Sequence, residues 1–209
     1  RTSIEAGIPV AINLSKDDIS FYPIIYWPIT DNENDLTDNM INKVQVYMKN
    51  GGLIVFDTRD LSPTNIITKN KSKEQKALKA ILKSLDLPIL IKVPESHVIR
   101  RSFYLLDKLP GRYTGGDVWV EATAMNSKDG VSSVIIGGND WASAWAKDSN
   151  YKPLYSVIPG GEKQREFSYR FGVNLVMYAM TGNYKADQVH IKSILKRLNN
   201  KPNKTKEIE

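Results

Sequence analysis

The sequence contains no cysteine, and this absence removes whole classes of chemistry. Disulfides, thiolate metal sites and a cysteine nucleophile are all excluded. Histidine is scarce as well, because His97 and His190 are the only two among 209 residues. So few imidazoles leave little from which to build a zinc site. We therefore expect neither a bound metal nor a cofactor.

Long hydrophobic runs are also missing. The longest uncharged run in the C-terminal half covers residues 171–184, which is 14 residues, whereas a membrane-spanning helix needs about 20. A composition of 41% hydrophobic and 25% charged residues excludes a disordered, collagen-like or multi-span membrane chain. The length of 209 residues corresponds to about one large domain. Because the chain begins at Arg1 and not at methionine, we expect a fragment of a longer protein.

The net charge of +6 is concentrated in two places. Residues 69–83 contain six lysines and one acid, Glu74, and residues 185–209 contain seven lysines and arginines against three acids. The end of the second stretch, residues 199–209, is a polar tail that we expect to be disordered. Either patch could contact anionic lipid or nucleic acid. No aromatic residues alternate with these lysines, as single-strand binding would favour, so we interpret both patches as solvated surface.

Buried strands alternate with amphipathic helices along the chain. The continuous apolar run at residues 53–56 is typical of a strand covered on both faces. Ser72 and Gln75 form a capping-box pattern before a helix with apolar positions to Leu85. This order predicts a three-layer α/β sandwich with a mostly parallel sheet. The other predicted strands are 19–29, 118–120 and 133–136, and the other predicted helices are 36–49, 98–106, 162–180 and 186–198.

Five longer strings resemble a known family. They are FYPIIYWPI at 21–29, VQVYMKNGGLIVFDTRD at 44–60, HVIRRSFYLLDKLPGRYTGG at 97–116, SSVIIGGNDWASAWA at 132–146 and PGGEKQREFSYRFGVNLVMYAMTGNYKADQVH at 159–190. Together they resemble the bacterial domain of unknown function family 4159, over about residues 8–198. No activity comes with this family name.

The resemblance implies a fold similar to class I glutamine amidotransferases, which is also flavodoxin-like. It further implies that the domain usually ends a longer, membrane-anchored protein of the bacterial inner membrane, whose N-terminal region resembles an aerotolerance regulator. On this basis residues 1–198 would form a single α/β domain that lacks the first strand and helix of the fold. The side of the membrane is left open.

The amidotransferase resemblance can be examined at the place where those enzymes carry their nucleophile. They hold a cysteine on a sharp turn directly after a central strand, where a backbone amide stabilises an oxyanion. In this chain we place the corresponding turn after residues 53–56, where Asp57, Thr58, Arg59 and Asp60 follow. The chain has no cysteine there or elsewhere, so thiol-based hydrolysis of glutamine is excluded.

Candidate ligand contacts follow from the rule that α/β sheets bind ligands beyond the carboxyl ends of their strands. Asp57, Arg59 and Asp60 come directly after a strand and could contact a ligand or a hard cation; loop capping is the alternative. His97 could act as a base or ligand contact, although a lone histidine at a helix start is more often structural.

Two glycine-containing turns complete the candidate site. Gly138, Asn139, Asp140 and Trp141 join a strand to a helix, and the amides of such a turn can take an anion or a sugar hydroxyl. Trp141 could alternatively pack in the core. A second turn opens the helix at residues 162–180, and its candidate contacts are Gly160, Gly161 and Arg165.

These observations leave two functions open. The first is a non-catalytic module that binds a ligand or protein partner, because the scaffold resembles an enzyme but has no nucleophile. The second is a hydrolase that uses Asp57, Asp60 and His97 on a glycan or with a divalent metal. The hydrolase requires these three side chains to converge, since a general base acts within hydrogen-bond reach or through one water.

Overall fold

The computed structural model describes residues 9–61, 72–122 and 131–199, with side chains described as far as residue 180. The strands are β1 (Ile24–Pro28), β2 (Leu53–Asp57), β3 (Leu90–Lys92), β4 (Trp119–Glu121) and β5 (Val134–Gly137). The helices are α1 (Asp38–Lys49), α2 (Lys73–Leu85), α3 (Trp141–Trp145) and α4 (Gly161–Asn199), and two 3-10 turns span Ile19–Phe21 and Val98–Arg100.

The strands form one mixed sheet in the order β1-β2-β5-β4-β3. The pairs β1–β2 and β2–β5 are parallel, whereas β4–β5 and β3–β4 are antiparallel. The α/β class is therefore confirmed, but the prediction of a mostly parallel sheet is wrong at one edge. β2, which carries the continuous apolar run, is parallel to both of its neighbours. Both antiparallel pairs involve β4, whose outer partner β3 was not among the predicted strands.

The apolar residues of β2 alternate between two cores, one on each face of the sheet. Leu53 and Val55 belong to the core that contains α4 residues such as Phe171 and Tyr178. Ile54 and Phe56 belong to the core that α1 and α2 cover, with Val44, Tyr47, Leu78, Ile81 and Leu85. Helices thus cover both faces, and the continuous apolar run of β2 follows from that double burial.

The cap predicted at Ser72 is confirmed, and α1 begins with a second cap. The hydroxyl of Ser72 accepts a hydrogen bond from the Gln75 amide at 3.0 Å, directly before α2. The Thr37 hydroxyl caps α1 in the same way, through the Met40 amide at 3.4 Å. Each cap satisfies one of the amides that a helix start leaves without a partner.

The C-terminal helices differ from the prediction. Residues 162–180 and 186–198 were expected as two helices, but α4 is continuous from Gly161 to Asn199. The intervening segment contains no proline, and its one glycine, Gly182, costs about 1 kcal/mol relative to alanine without ending a helix. Among the described residues, no helix combines the length and apolar character needed to cross a membrane.

The predicted helix at residues 98–106 is reduced to the 3-10 turn Val98–Arg100. The cause is a buried amide on α4. Asn174 Oδ1 accepts from the amides of Phe103 and Tyr104 at 3.1 and 2.7 Å, so those two groups do not continue a helix.

The other end of the same amide also binds this segment. Asn174 Nδ2 donates to the carbonyls of Ile99 and Tyr104 at 2.9 and 2.8 Å. Asn174 is fully buried, and its bond to the Ile99 carbonyl is buried too, while its three bonds to Phe103 and Tyr104 are partly buried. They hold the chain after β3 against α4.

Two parts of the charge analysis fall outside the described residues. The basic tail at 199–209 lies outside them except for Asn199, the last residue of α4, and so do Lys69 and Lys71 of the first patch. The predictions of a disordered tail and of lipid or nucleic-acid contact therefore stay predictions.

The substitution Asn174→Asp tests the role of this buried amide. It keeps the acceptor but turns the donor into a carboxylate oxygen that faces two carbonyls. We expect the free energy of unfolding to fall by about 3 kcal/mol, since buried carbonyls lose their partners and a charge is buried. Urea denaturation measures this, with Asn150→Asp in an exposed turn as the matched control. Equal stability of both variants would contradict the assignment.

Candidate functional site

Strands β1, β2 and β5 are parallel, so they end at the same edge of the sheet, which we call the carboxyl edge. β5 is the central strand, and residues 138–140 turn from it into α3. Asp140 in this turn has the left-handed conformation, with φ 53° and ψ 57°. The sharp turn after the central strand therefore lies at Asp140, and the sequence analysis had placed it at Asp57, after β2.

A loop at residues 110–117 packs directly on this turn. The amides of Arg112 and Tyr113 donate to the carbonyls of Asp140 and Asn139 at 3.1 and 3.0 Å. A Cβ atom at Gly111 would collide with the Asn139 carbonyl. The loop can approach the turn this closely because glycine has no side chain.

The Asp57 carboxylate is the hub of the carboxyl edge. Its Oδ1 accepts from the amides of Arg59 and Asp140 at 3.0 and 3.2 Å. Its Oδ2 accepts from the Tyr26 hydroxyl at 2.6 Å and from the Trp141 amide at 2.9 Å. The turn amides expected to receive an external anion are thus bound to a carboxylate of the protein itself.

Burial sets the protonation behaviour of this hub. Asp57 is fully buried, and desolvation raises the pKa of its carboxyl, while the four hydrogen bonds act in the opposite direction. Burial also raises the pKa of Tyr26, and the Asp57 charge raises it further. Tyr26 therefore stays a hydroxyl donor, which is the state that its bond to Asp57 requires.

Asp60 and Arg59 are also held by the protein. The Asp60 carboxylate accepts from the hydroxyls of Thr58 and Ser72 and from the Gln75 side chain, so it ties the end of β2 to the start of α2. Arg59 donates through Nη2 to the Ile29 carbonyl at 2.9 Å. These contacts correspond to the capping alternative considered for both residues.

His97 does not join this group. Its ring packs 5.7 Å from the ring of Tyr178, centroid to centroid, and its Nδ1 accepts from the Ile99 amide at 3.3 Å. Tyr178 contacts Ser132 ahead of β5, at the end of the sheet opposite to Asp57. Helix α4 rises about 21 Å between Gln164, beside the carboxyl edge, and Tyr178.

The hydrolase hypothesis needs His97 beside Asp57 and Asp60, and among the described residues no contact joins it to either. Burial, helped by the nearby cations of Arg100 and Arg101, lowers the pKa of His97 to about 4. His97 is therefore neutral at pH 7 and behaves as a core residue. The described residues also contain no group of three histidine, aspartate or glutamate side chains that could hold a metal ion.

The second set of candidates has structural partners as well. The Trp141 ring is fully buried, packs against Phe171 at 5.2 Å between centroids, and donates through Nε1 to Leu109 at 3.1 Å. Arg165 donates to the carbonyls of Ala144 and Tyr155 at 2.9 and 2.6 Å, close to the end of α3. Both side chains are therefore held by contacts within the protein, next to the carboxyl edge.

The turn glycines differ in what surrounds them. A Cβ atom at Gly138 would collide with Asp60, and the Gly160 amide donates to the Gln164 side chain at 3.0 Å. Gly161 starts α4 with a φ of 54° and has open space where a Cβ would lie. Gly138 therefore serves close packing, whereas Gly160 and Gly161 lie where α4 begins.

Asn139 carries an unsatisfied buried group. The residue is 2% exposed, and its Nδ2 donates to the Leu109 carbonyl at 2.7 Å. Its Oδ1 has no hydrogen-bond donor among the described residues. Such orphaned acceptors are rare, because most buried polar groups are paired with protein or water.

Asn139 lines a cavity of about 350 Å³ at the carboxyl edge, which we call the Asn139 cavity. Its polar walls are supplied by Lys92, Asp107, Lys108, Thr114 and Asp117. These residues were not predicted, because none of them directly follows a predicted strand. Gly116 was the available signal, since a Cβ atom there would collide with the Leu61 side chain and lie 3.0 Å from Asn139 Oδ1.

The comparison with known families gives one match. The family model described as "Domain of unknown function (DUF4159)" matches residues 1–180, which include all five strands and the first part of α4. It is the family that the five sequence strings resemble. No curated protein matches the sequence.

The substitution Asp57→Asn tests the carboxylate hub. An amide accepts through one oxygen only, so two of the four donors would lose their partner. We expect a loss of about 3 kcal/mol in unfolding free energy, and Tyr26→Phe, which removes one donor, should cost about 1 kcal/mol. Chemical denaturation measures both, with exposed Asp35→Asn as the matched control. If Asp57→Asn left the free energy of unfolding unchanged, the Asp57 carboxylate would not stabilise the carboxyl edge.

The burial of His97 can be tested by comparing how the stability of the wild type and of a His97 variant depends on pH. Because its pKa is about 4 when folded and about 6.5 when unfolded, the unfolded state takes up the proton first. Stability should therefore fall as the pH drops from about 6.5 to about 4, by about 3 kcal/mol. His97→Asn keeps a capping acceptor and should abolish this loss, whereas His190→Asn should not. Parallel stability curves for wild type and His97→Asn would contradict the prediction.

Proposed function

Since the chain belongs to the DUF4159 family of domains of unknown function, its role has to be argued from its own site, and we propose that it binds a small polar ligand in the Asn139 cavity without transforming it. The observation that carries the proposal is Asn139, which lines the cavity and whose buried Oδ1 atom lacks a donor among the described residues. A ligand N–H or O–H group would supply that donor.

The orientation of Asn139 supports this use. Its Nδ2 is held by the Leu109 carbonyl, so Oδ1 cannot exchange places with the amide nitrogen without breaking a buried bond. The backbone on either side is tied to the loop at 110–117. A rigid, preformed acceptor of this kind lowers the entropy that binding must overcome.

The cavity walls offer both donors and acceptors. Lys92 and Asp117 form an ion pair at 2.8 Å, and each is more than half exposed at the side chain, so both can adjust to a ligand. Asp107, Lys108 and Thr114 add further hydrogen-bonding groups. A volume of about 350 Å³ fits a small molecule.

Binding without catalysis is supported by the condition of the candidate catalytic groups. The chain has no cysteine, and the Asp57 carboxylate is bound to four donors of the protein. His97 is buried against Tyr178. A nucleophile or base must be free to reach substrate, and none of these three positions supplies one.

We also propose that the domain works inside a larger membrane-anchored bacterial protein, with an amidotransferase-like scaffold as its fold. The support is the resemblance of the five sequence strings. A ligand-binding domain in that position would report a small molecule to the rest of its parent chain.

The proposal is tested by nuclear magnetic resonance titration of the chain with glucose, N-acetylglucosamine, citrate and AMP. We expect at least one probe to shift the amides of Lys108, Thr114, Asp117 and Asn139 saturably and to be recovered unchanged. Thr114→Phe, which fills the cavity mouth, should abolish the shifts, and Ser149→Phe at an exposed position should not. Conversion of a probe would contradict the non-catalytic assignment, and the absence of any shift at these amides would contradict binding there.

A further inference from the structure

A second cavity adjoins the Asn139 cavity and extends the site. It has a volume of about 360 Å³, and it shares Asp107, Lys108 and Thr114 with its neighbour. Its other walls come from residues near the start of α4, including Lys163 and Phe167, and we call it the Phe167 cavity. Shared walls place the two cavities side by side, so one molecule can occupy both.

The Phe167 cavity has an apolar wall made by Pro110, Pro159 and Phe167. Two proline rings and a benzene ring offer flat apolar surface, and proline has no amide hydrogen to satisfy. A flat apolar group would bury its surface there at about 25 cal/mol per Å². The adjoining Asn139 cavity has a larger share of polar wall, from residues such as Lys92, Thr114 and Asp117.

Two lysines flank this apolar wall. Lys108 lies where the cavities meet, and Lys163 lies in the first turn of α4. Among the described residues neither forms an ion pair within 4.0 Å. The two lysines outnumber Asp107, the one acid that the described residues contribute to this lining, and the positive end of the α4 dipole lies at the same place, so charge and dipole favour an anion there. The orphaned Asn139 oxygen next door is an independent sign of a ligand.

The shape of this region is fixed by one side chain. Gln164 Nε2 donates to the carbonyls of Gly111, Arg112 and Ile158 at 2.9, 3.2 and 3.0 Å. Its Oε1 accepts from the Gly160 amide at 3.0 Å. The loops on both sides of the cavity are thereby tied to α4, and the site is preformed.

We propose that the ligand is an amphipathic anion that spans both cavities. Its flat apolar ring lies against Pro110, Pro159 and Phe167, its phosphate or carboxylate lies between Lys108 and Lys163, and an N–H or O–H group donates to Asn139 Oδ1. The inference rests on the proposed function and deepens it, because it names the ligand class of the same site.

Three probes separate the parts of this proposal. Phenyl phosphate contains both the aromatic ring and the anionic group. Inorganic phosphate contains only the anionic group, and benzyl alcohol contains the ring without a charge. In titrations followed at the amides of Lys108, Thr114, Lys163 and Phe167, phenyl phosphate should bind at least about tenfold more tightly than either partial probe, since both contacts contribute.

A double variant tests the lysines. Lys108→Gln with Lys163→Gln should weaken phenyl phosphate about tenfold or more and leave benzyl alcohol unchanged, because only a charge-assisted contact is lost. Lys79→Gln with Lys83→Gln on exposed positions of α2 makes the same change in net charge and should have no effect. Equal binding of phenyl phosphate by the two double variants would overturn the proposal.

Other outcomes distinguish this inference from the proposed function. If inorganic phosphate binds as tightly as phenyl phosphate, the site takes an adventitious ion only and the amphipathic class is wrong. If phenyl phosphate and AMP cause no saturable shift while glucose, N-acetylglucosamine or citrate still shifts Asn139, this inference fails and the proposed function stands. If no probe shifts either cavity, both fail.

Discussion

The buried carboxylate of Asp57 is the interaction on which the carboxyl edge depends. It joins the end of β2 to Tyr26 of β1 and to the two amides at the start of α3. Three consecutive neighbours in the sheet are therefore held in one register at their ends. The Asp140 amide donates to Asp57, and Asp140 has a left-handed conformation. These constraints also fix the backbone of the adjacent Asn139.

This arrangement also limits the chemistry. In enzymes with a sharp turn after a central strand, the turn amides stabilise developing negative charge. Here they already donate to the carboxyl group of Asp57, which belongs to the protein. What is left for an external molecule is the next residue back, Asn139, and the loop at 110–117 that packs on it. The proposed site therefore recognises its ligand with side-chain donors and acceptors around a cavity. The turn amides stabilise the fold instead.

Position after a strand correctly predicted the region of the candidate site. It did not distinguish residues that bind within the protein from residues that are free to contact a ligand. Asp57, Asp60, Asn139 and Asp140 were all selected because they follow a strand, and all lie at the carboxyl edge. Their positions do not reveal that the carboxylates of Asp57 and Asp60 are bound to donors of the protein, because that depends on which groups meet across the sheet. Nor do they reveal that Oδ1 of Asn139 and Oδ1 of Asp140 lack a donor among the described residues. His97 was grouped with Asp57 on residue type alone, and tertiary packing put it beside Tyr178.

The sequence by itself determined the α/β class, the helix start at Ser72, and the exclusion of thiol chemistry. These follow from composition, apolar periodicity and capping, which act over a few neighbouring residues. The tertiary structure decided the antiparallel edge, the short turn at Val98–Arg100 and the pairing of cavities around Asp107, Lys108 and Thr114. Each of these depends on hydrogen bonds and walls contributed by segments far apart in the chain, such as Asn174 with Phe103, and no local pattern encodes such partners.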